Sequence, residues 1–152
     1  MDTVDLRQAP HLLPVLAKWH QHEWAHLNPG ETLSMRIERM QSYLEASFMP
    51  TTLVIVDNNK PLGSAAIVAN DMDTHQELTP WLASVFVHPD HRCKGIASEL
   101  IQQLEKLAVQ HAYKQLHLFT PDQESFYTKR GWQTLSQEYY HHEKVTLMRR
   151  EL

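Results

Sequence analysis

The run WLASVFV, residues 81–87, constrains the fold more than any other stretch of the chain. It contains no charged side chain, and apolar residues occupy both of the alternating positions that would face opposite sides of a strand. An uninterrupted run of this length is typical of a strand that is covered on both faces. We therefore expect residues 81–87 to form a central strand of a sheet.

The segments around this run have strand-like and helix-like patterns in turn. Upstream, TTLVIVD and SAAIVAN are separated by the turn residues NNKPLG, which predicts a β-hairpin. Downstream, apolar residues at helical spacing from Ile96 to Ala108 predict a helix, and KQLHLFT predicts the strand after it. WQTLSQEYY and KVTLMRREL predict a closing antiparallel pair, and a short strand is expected over Thr3–Arg7.

Two helices are expected before the hairpin. The first follows Pro10 and ends at Asn28-Pro29-Gly30, and the second starts near Thr32. The buried stripe of the first helix is predicted to centre on Leu12, Leu16, Trp19 and Glu23. These elements together predict an α/β fold in a single domain over residues 1–152, with a mixed sheet flanked by helices.

Length and charge exclude several classes of protein. A chain of 152 residues can bury one full core, and the net charge of -4 argues against a general nucleic-acid binder, which needs a basic surface. No apolar stretch approaches the roughly 20 residues that span a bilayer, and the acidic N-terminus lacks the apolar region of a signal peptide. With Cys93 as the single cysteine, we expect a cytoplasmic protein without disulfides or membrane contact.

The turn between the central strand and the next helix has the composition of a phosphate-binding loop. Such a loop needs backbone N–H groups directed at the anion, a residue without Cβ for close approach, and a helix N-terminus behind it. The segment VHPDHRCKGIASEL has these features, with Gly95 at the start of the predicted helix.

This segment resembles the signature of the Gcn5-related N-acetyltransferases (GNAT family), Arg/Gln-x-x-Gly-x-Gly/Ala after a strand that ends in Val-x-Pro. A second segment, FTPDQESFYTKRGW, resembles the Tyr-x-x-x-Gly-aromatic segment of the same family. The chain has four glycines, and two of them, Gly95 and Gly131, lie at the positions of the family pattern. The order of elements is similar over nearly the whole chain, so the resemblance implies a GNAT-like fold with a central, mostly antiparallel, splayed sheet.

The resemblance also implies acetyl-CoA as the cosubstrate, with no metal. The backbone of residues 92–97 would hold the pyrophosphate, and the preceding strand would bind the pantetheine arm. The residues that the resemblance assigns to acetyl-CoA are Val85, Phe86, Val87, Arg92, Cys93, Lys94, Gly95, Ile96, Ala97, Ser98, Asp122, Phe126 and Tyr127. Two positions depart from the common pattern, since Cys93 replaces a glycine and Thr120-Pro121-Asp122 replaces an asparagine; Asp122 is also expected to cap the short helix that follows.

The implied reaction is direct attack of a primary amine on the thioester of acetyl-CoA. An amine must lose a proton before it attacks, and the departing thiolate gains from a proton donor. Family resemblance assigns the donor to Tyr127. Many relatives carry a glutamate on the central strand as the base, but this strand has none, so Asp73 and Glu77 are the first candidates, with Asp71, His75 and water as alternatives. A backbone N–H near Phe86 or Val87 is expected to stabilise the oxyanion.

The acceptor is expected to be an amine on a small molecule or at a peptide N-terminus. One wall of its site is predicted from Trp24, His26, Asn28 and the segment up to Thr32, and the other from residues 71–77. The acidic residues of the second wall suit a cationic acceptor. A homodimer is compatible with the sequence.

Two other functions remain alternatives. His22-Glu23-Trp24-Ala25-His26 matches the His-Glu-x-x-His motif of zinc metalloproteases, with Glu45 as a third ligand. Against this interpretation, a helical wheel places His22 outside the apolar stripe and His26 at its edge, so both are expected to face solvent. A noncatalytic module that binds acetyl-CoA is the other alternative. The thiol of Cys93 lies in the phosphate turn, far from the thioester, and is expected to be inert or regulatory.

Overall fold

The computed structural model describes residues 1–152 and contains seven strands and four α-helices. The strands are β1 Asp2–Asp5, β2 Thr51–Asp57, β3 Lys60–Val68, β4 Trp81–Val87, β5 Gln115–Thr120, β6 Gln133–Tyr140 and β7 Glu143–Glu151. The α-helices are α1 Leu13–Trp24, α2 Leu33–Met40, α3 Ile96–Gln110 and α4 Glu124–Thr128. Short 3-10 turns connect several of these elements.

All seven strands form one sheet in the order β1-β2-β3-β4-β5-β7-β6. Every neighbouring pair is antiparallel except β4 and β5, which are parallel and meet at only one register position, Trp81 opposite His117. Beyond this position the two strands separate. The prediction of a central, mostly antiparallel and splayed sheet is therefore confirmed, with β4 fourth of seven.

Side chains cover the sheet on both faces. Leu53 and Ile55 of β2 pack with α3 in the largest core cluster, whereas Val54 between them packs on the other face with α1. On β4, Leu82 joins the cluster on the α3 side and Trp81 joins a separate cluster with Val145 and Leu147. This alternation explains why β4 reads as a continuous apolar run, as predicted. None of the helices has the length and apolar character needed to cross a bilayer.

Three local predictions are wrong. The first strand ends at Asp5 rather than Arg7, because the Asp5 carboxylate accepts the Arg7 backbone N–H at 2.9 Å and starts a 3-10 turn. Glu23 is exposed, and the buried face of α1 instead consists of Leu13, Leu16, Ala17 and His20.

The third error concerns the start of α4. Asp122 does not cap this helix, which begins after Gln123 without a side-chain cap. The Thr120 hydroxyl accepts the Gln123 N–H at 3.0 Å and shapes the turn instead. At the other end of α4 the predicted stop is present, because Gly131 has φ +92° and the Trp132 N–H donates to the Tyr127 carbonyl at 3.1 Å.

Candidate active site

A cleft of about 1090 Å³ opens where β4 and β5 separate. Residues 82–87 of β4 form one side, and residues 118–120 of β5 with the following turn form the other. The start of α3 and the end of α1 both line the cleft, and the centre of the Phe86 ring lies 5.6 Å from the Arg92 guanidinium and 6.2 Å from the centre of a Trp24 ring. The cleft is therefore a consequence of the sheet topology, since a parallel pair with one contact leaves its carboxyl ends apart.

Strand β4 carries a bulge inside this cleft. Its register against β3 shifts between Ala83 and Phe86, and Ser84 adopts φ +55°. Ser84 and Val85 have no opposite residue on β3, and past Trp81 no strand pairs with the other edge of β4. A bulge leaves backbone groups outside the sheet ladder, so this part of β4 can offer N–H and C=O groups to a bound molecule.

The turn before α3 has left-handed backbone conformations at two residues separated by one position, a pattern that suits an anion. Cys93 and Gly95 both have positive φ, and Gly95 is the N-cap residue of the fifteen-residue helix α3. The Arg92 side chain is fixed by donation from Nε to the Val87 carbonyl at 2.9 Å, and its guanidinium lies 5.6 Å from the centre of the Phe86 ring. Free N–H groups of the first helical turn, together with Arg92, give this turn a positive potential.

Tyr127 lies on α4 with its ring packed edge-on against Phe126 and Trp132. The residue is only 7% exposed, yet it lines the cleft. Burial raises the pKa of Tyr127 to about 12. The phenol is therefore protonated at neutral pH, as a proton donor must be, and the same burial makes it a weaker acid than an exposed tyrosine.

Arg130 is a cleft residue that the sequence analysis did not single out. Its guanidinium carbon stands 3.6 Å from the centre of the Phe126 ring, and Nη2 donates to the Ser98 hydroxyl at 2.6 Å. A further bond runs from Nη1 to the Phe126 carbonyl at 2.8 Å. Arg130 thus links α4 to the first turn of α3 and adds a second cation beside the anion-binding turn. Its place just before Gly131 in the second motif was the available signal.

The loop after β3 supplies carboxylates to the cleft. Asp71 and Asp73 line the cleft, whereas Glu77 is exposed outside it and contacts His75 at 3.3 Å. Asp71 is half-buried, and burial raises the pKa of its carboxyl to about 7. Of the four titratable residues considered in this loop, Asp71 therefore combines access to the cleft with a pKa near neutrality.

The turn between β6 and β7 forms a third wall that was not predicted. Glu143, Tyr140 and His141 line the cleft, and the Tyr140 hydroxyl accepts the Asp73 N–H at 3.2 Å. Sequence alone gave no local signal for these residues, because only the pairing of β7 with β5 brings this turn to the cleft.

The predicted wall from the end of α1 is present in part. Trp24, His26 and Asn28 line the cleft, but residues 29–32 do not. His20 also lines it, is 3% exposed, and its Nε2 has no hydrogen-bond partner. Burial, reinforced by Arg36 and Arg39, lowers the pKa of His20 to about 3, so the imidazole is neutral at physiological pH.

The cleft gathers twelve of the thirteen residues predicted to bind the cofactor: Val85, Phe86, Val87, Arg92, Cys93, Gly95, Ile96, Ala97, Ser98, Asp122, Phe126 and Tyr127. Lys94 is exposed and does not line it. Of the catalytic candidates, Tyr127 and Asp73 lie in the cleft and Glu77 does not.

The His-Glu-x-x-His segment does not form a metal-binding geometry. Helix α1 ends at Trp24, His26 lies in the following 3-10 turn, and both His22 and His26 are exposed, as expected. Glu45, the suggested third ligand, lies where its carbonyl accepts the Arg7 Nε–H at 2.6 Å. The structure contains no group of three or more His, Cys, Asp or Glu side chains that could hold a metal ion.

Comparison with known proteins identifies relatives of this architecture. The model of the acetyltransferase (GNAT) family matches residues 13–132. The chain is similar in structure to an aminoglycoside 6'-acetyltransferase type Ii, with a TM-score of 0.77 and 16% identity over 99% of this chain and 97% of the other. An aminoglycoside 6'-N-acetyltransferase complexed with coenzyme A gives a TM-score of 0.75 and 15% identity over the same shares of the two chains.

A third similar structure is YncA from Salmonella typhimurium, a proposed acetyltransferase seen with its cofactor acetyl-CoA. Its TM-score is 0.73 at 15% identity, over 100% of this chain and 95% of the other. No curated protein matches the chain by sequence. At these identities the three structures establish the fold, and the family model establishes the membership.

Proposed function

Because the chain belongs to the acetyltransferase (GNAT) family, we propose that it transfers the acetyl group of acetyl-CoA to a primary amine on a small molecule. The observation that carries this proposal is the cleft itself, which is lined by an anion-binding turn, by carboxylates and by Tyr127. Two of the similar structures contain coenzyme A or acetyl-CoA, which supports the choice of cosubstrate.

The turn before α3 suits the pyrophosphate of acetyl-CoA. Backbone N–H groups from Cys93 to Ala97 would bind its oxygens, and the Gly95 position has open space where a Cβ would stand. Arg92 and Arg130 would add cationic contacts. The bulged part of β4 would pair with the amides of the pantetheine arm in the manner of an added strand.

In this reaction Asp71 accepts one proton and Tyr127 donates another. The Asp71 carboxylate accepts a proton from the amine, whose nitrogen then attacks the thioester carbonyl carbon. The oxyanion is stabilised by a backbone N–H in the bulged part of β4. When the carbon–sulfur bond breaks, the Tyr127 hydroxyl donates its proton to the leaving thiolate. A carboxyl with a pKa of about 7 and a phenol with a pKa of about 12 are in the required protonation states near neutral pH.

The proposal is tested by acetyl-CoA binding and by acetyl transfer, measured separately. A ligand that binds only the folded state raises the unfolding temperature, so saturating acetyl-CoA should shift it upward. Release of free CoA that depends on an added primary amine should follow. Binding without transfer to any amine would favour a noncatalytic acetyl-CoA-binding module, and no thermal shift would remove the proposal altogether.

A further inference from the structure

Strand β6 and the turn after it hold the loop after β3 at several points. Glu138 and Tyr140 share one face of β6, because side chains two residues apart lie on the same side of a strand. The Tyr140 hydroxyl accepts the Asp73 N–H at 3.2 Å, and Glu138 Oε1 lies 2.7 Å from His75 Nε2. His141 Nε2 adds a contact of 3.6 Å to the Asp73 carboxylate. The two hydrogen-bonded pairs are 67 and 63 residues apart in the chain, so the fold and not local structure brings them together.

His75 has the surroundings of an imidazolium between two carboxylates. Its Nε2 faces Glu138, and its Nδ1 faces Glu77 Oε1 at 3.3 Å. A carboxylate only accepts hydrogen bonds, so both ring nitrogens must carry a proton for both contacts to form. The Ser136 hydroxyl donates to the other oxygen of Glu138 at 2.8 Å and fixes that carboxylate. The hydrogen bond to Glu138 raises the pKa of His75 above its usual value of 6.5, and it lowers the pKa of Glu138.

A short turn connects His75 to Asp71. Residues 73–75 form a 3-10 turn, and the His75 N–H donates to the Met72 carbonyl at 3.2 Å. The Met72 side chain is buried in the core cluster that contains Trp81. Asp71 directly precedes this buried residue. Its position is therefore set by a core contact at Met72 and by the Glu138–His75 pair at the other end of the turn.

The surroundings of Asp71 make its pKa sensitive to the position of the loop. Burial is what raises the pKa of this carboxyl to about 7. Tyr43 and Tyr140 face it from the segment after α2 and from β6, and Arg39 lines the cleft beside it. Burial raises the pKa of both phenols and the charge of Asp71 adds to that effect, so both stay neutral. A movement of the loop that lets water reach Asp71 would lower the pKa of its carboxyl.

From these contacts we infer that His75 and Glu138 are positioning residues, which hold the loop after β3 against β6 and so keep Asp71 buried in the wall of the cleft. The inference rests on the proposed function, in which Asp71 is the base. His75 makes both of its contacts only while it is charged, so the reaction needs an ionised Asp71 and a protonated His75 together. Glu77, which does not line the cleft, acts in this arrangement as the second acceptor for His75.

Titration of the Asp71 carboxyl tests this role without turnover. Carboxyl 13C NMR of aspartate-labelled protein, with Asp71→Asn to assign the signal, should give a pKa of about 7 in the wild type. His75→Ala and Glu138→Ala should each lower it by at least about one pH unit, because a freed loop hydrates the carboxyl. Mere removal of a charge would move the two variants in opposite directions, since a nearby cation lowers the pKa of a carboxyl and a nearby anion raises it. His11→Ala is the control, because His11 is exposed and does not line the cleft.

The pH dependence of turnover is the kinetic counterpart, with n-butylamine as the probe amine. In the wild type, kcat/KM corrected for the fraction of free amine should rise through about pH 7 and fall as His75 loses its proton at a pH above 6.5. His75→Ala should lack the fall and begin its rise at lower pH. It should also lose about tenfold in kcat at the wild-type optimum, because the base is displaced. The acetyl-CoA dissociation constant should not change, since His75 does not line the cleft.

The double variant His75→Ala/Glu138→Ala completes the test. It should lower the pKa of Asp71 no further than either single variant, because each change already breaks the same contact. An Asp71 pKa that stays at the wild-type value in both single variants, or moves in opposite directions, would overturn the inference. A lowered Asp71 pKa in a protein that acetylates no amine would sustain the positioning role and defeat the proposed function. Acetyl transfer with an unmoved Asp71 titration would do the reverse.

Discussion

Cys93 and Gly95, separated by one residue, both adopt left-handed backbone conformations, with φ of +63° and +80°. Alternation of this kind turns successive N–H groups toward one point and forms a concave site for an anion. Only Gly95 has no Cβ, and nothing lies within 4 Å of where its Cβ would stand. The position is open to a ligand rather than filled by the protein.

Gly95→Ala should weaken acetyl-CoA binding by at least about tenfold, because the new methyl group stands where the pyrophosphate approaches the turn. The measurement is the acetyl-CoA dissociation constant by calorimetry. The variant should also lose about 1 kcal/mol of stability, since φ +80° is unfavourable for a residue with a Cβ.

Gly30→Ala is the matched control for that loss. Gly30 has φ +89°, its Cβ would also meet open space, and it does not line the cleft. Gly30→Ala should cost similar stability and leave acetyl-CoA affinity intact. If both variants bind acetyl-CoA equally well, the pyrophosphate does not lie at Gly95.

Cys93→Gly should stabilise the protein by about 0.5–1 kcal/mol. Glycine adopts φ +63° without the steric cost that a Cβ imposes, and the larger conformational entropy of glycine in the unfolded chain offsets part of this gain. Cys93→Ala is the control and should show no gain, since alanine keeps a Cβ. Chemical denaturation of the three proteins measures the difference. Equal stability of Cys93→Gly and wild type would show that the cysteine pays no conformational cost in this turn.

The parts of the site that follow one another in the chain were predictable, and the parts joined by long-range pairing were not. The turn at Arg92–Ala97 and the segment around Tyr127 carry local signals, so their place in one cleft follows from the strand–helix–strand order. Glu143 reaches the cleft only because β7 inserts between β5 and β6, and nothing near Glu143 in sequence indicates that pairing.

Burial explains the remaining differences between expectation and structure. Asp71, Asp73 and Glu77 look alike in sequence, and only the fold makes Asp71 half-buried and leaves Glu77 outside the cleft. The helical periodicity likewise predicted that Glu23 lies on the buried stripe of α1. Periodicity indicates which face of a helix is buried, but it does not indicate how far along the helix that face stays covered by other elements. Glu23 lies at the open end of that face, next to the cleft.

Asp71→Asn should remove the ionisation near pH 7 from the activity profile. Asp71 acts as a base only when it is ionised, so kcat/KM, corrected for the fraction of free amine, should rise with pH through about 7 in the wild type. The variant should lack this rise and be slower by about 10²–10⁴-fold at pH 8. A variant that keeps both the rate and the rise would assign the base elsewhere, with Asp73 as the next residue to test.

The same substitution should stabilise the protein above neutral pH. The folded pKa of Asp71, about 7, lies above its usual value of 3.8, so the folded state holds this proton more tightly than the unfolded state. Its contribution is therefore fully present below about pH 4 and is lost as pH rises through 7. Asp71→Asn should be more stable than wild type at pH 8, by roughly 1–3 kcal/mol, and little different at pH 4, as denaturation at the two pH values would show.

Tyr127→Phe should reduce turnover without disturbing the structure. The ring keeps its edge-on contacts with Phe126 and Trp132, so the unfolding temperature and the acetyl-CoA dissociation constant should change little. Loss of the hydroxyl removes the proton donor for the leaving thiolate, which is worth about 10²–10⁴ in rate and should appear in kcat.

Tyr127→Ala separates this role from simple packing. Tyr127 is 7% exposed, so removal of its ring should destabilise the protein by about 3–5 kcal/mol, the usual cost of emptying a buried aromatic site. A residue that served only the core would show that loss in Tyr127→Ala and no change of kcat in Tyr127→Phe. Wild-type kcat in Tyr127→Phe with a good acceptor would therefore exclude Tyr127 as the acid, because a phenylalanine at this position has no proton to give.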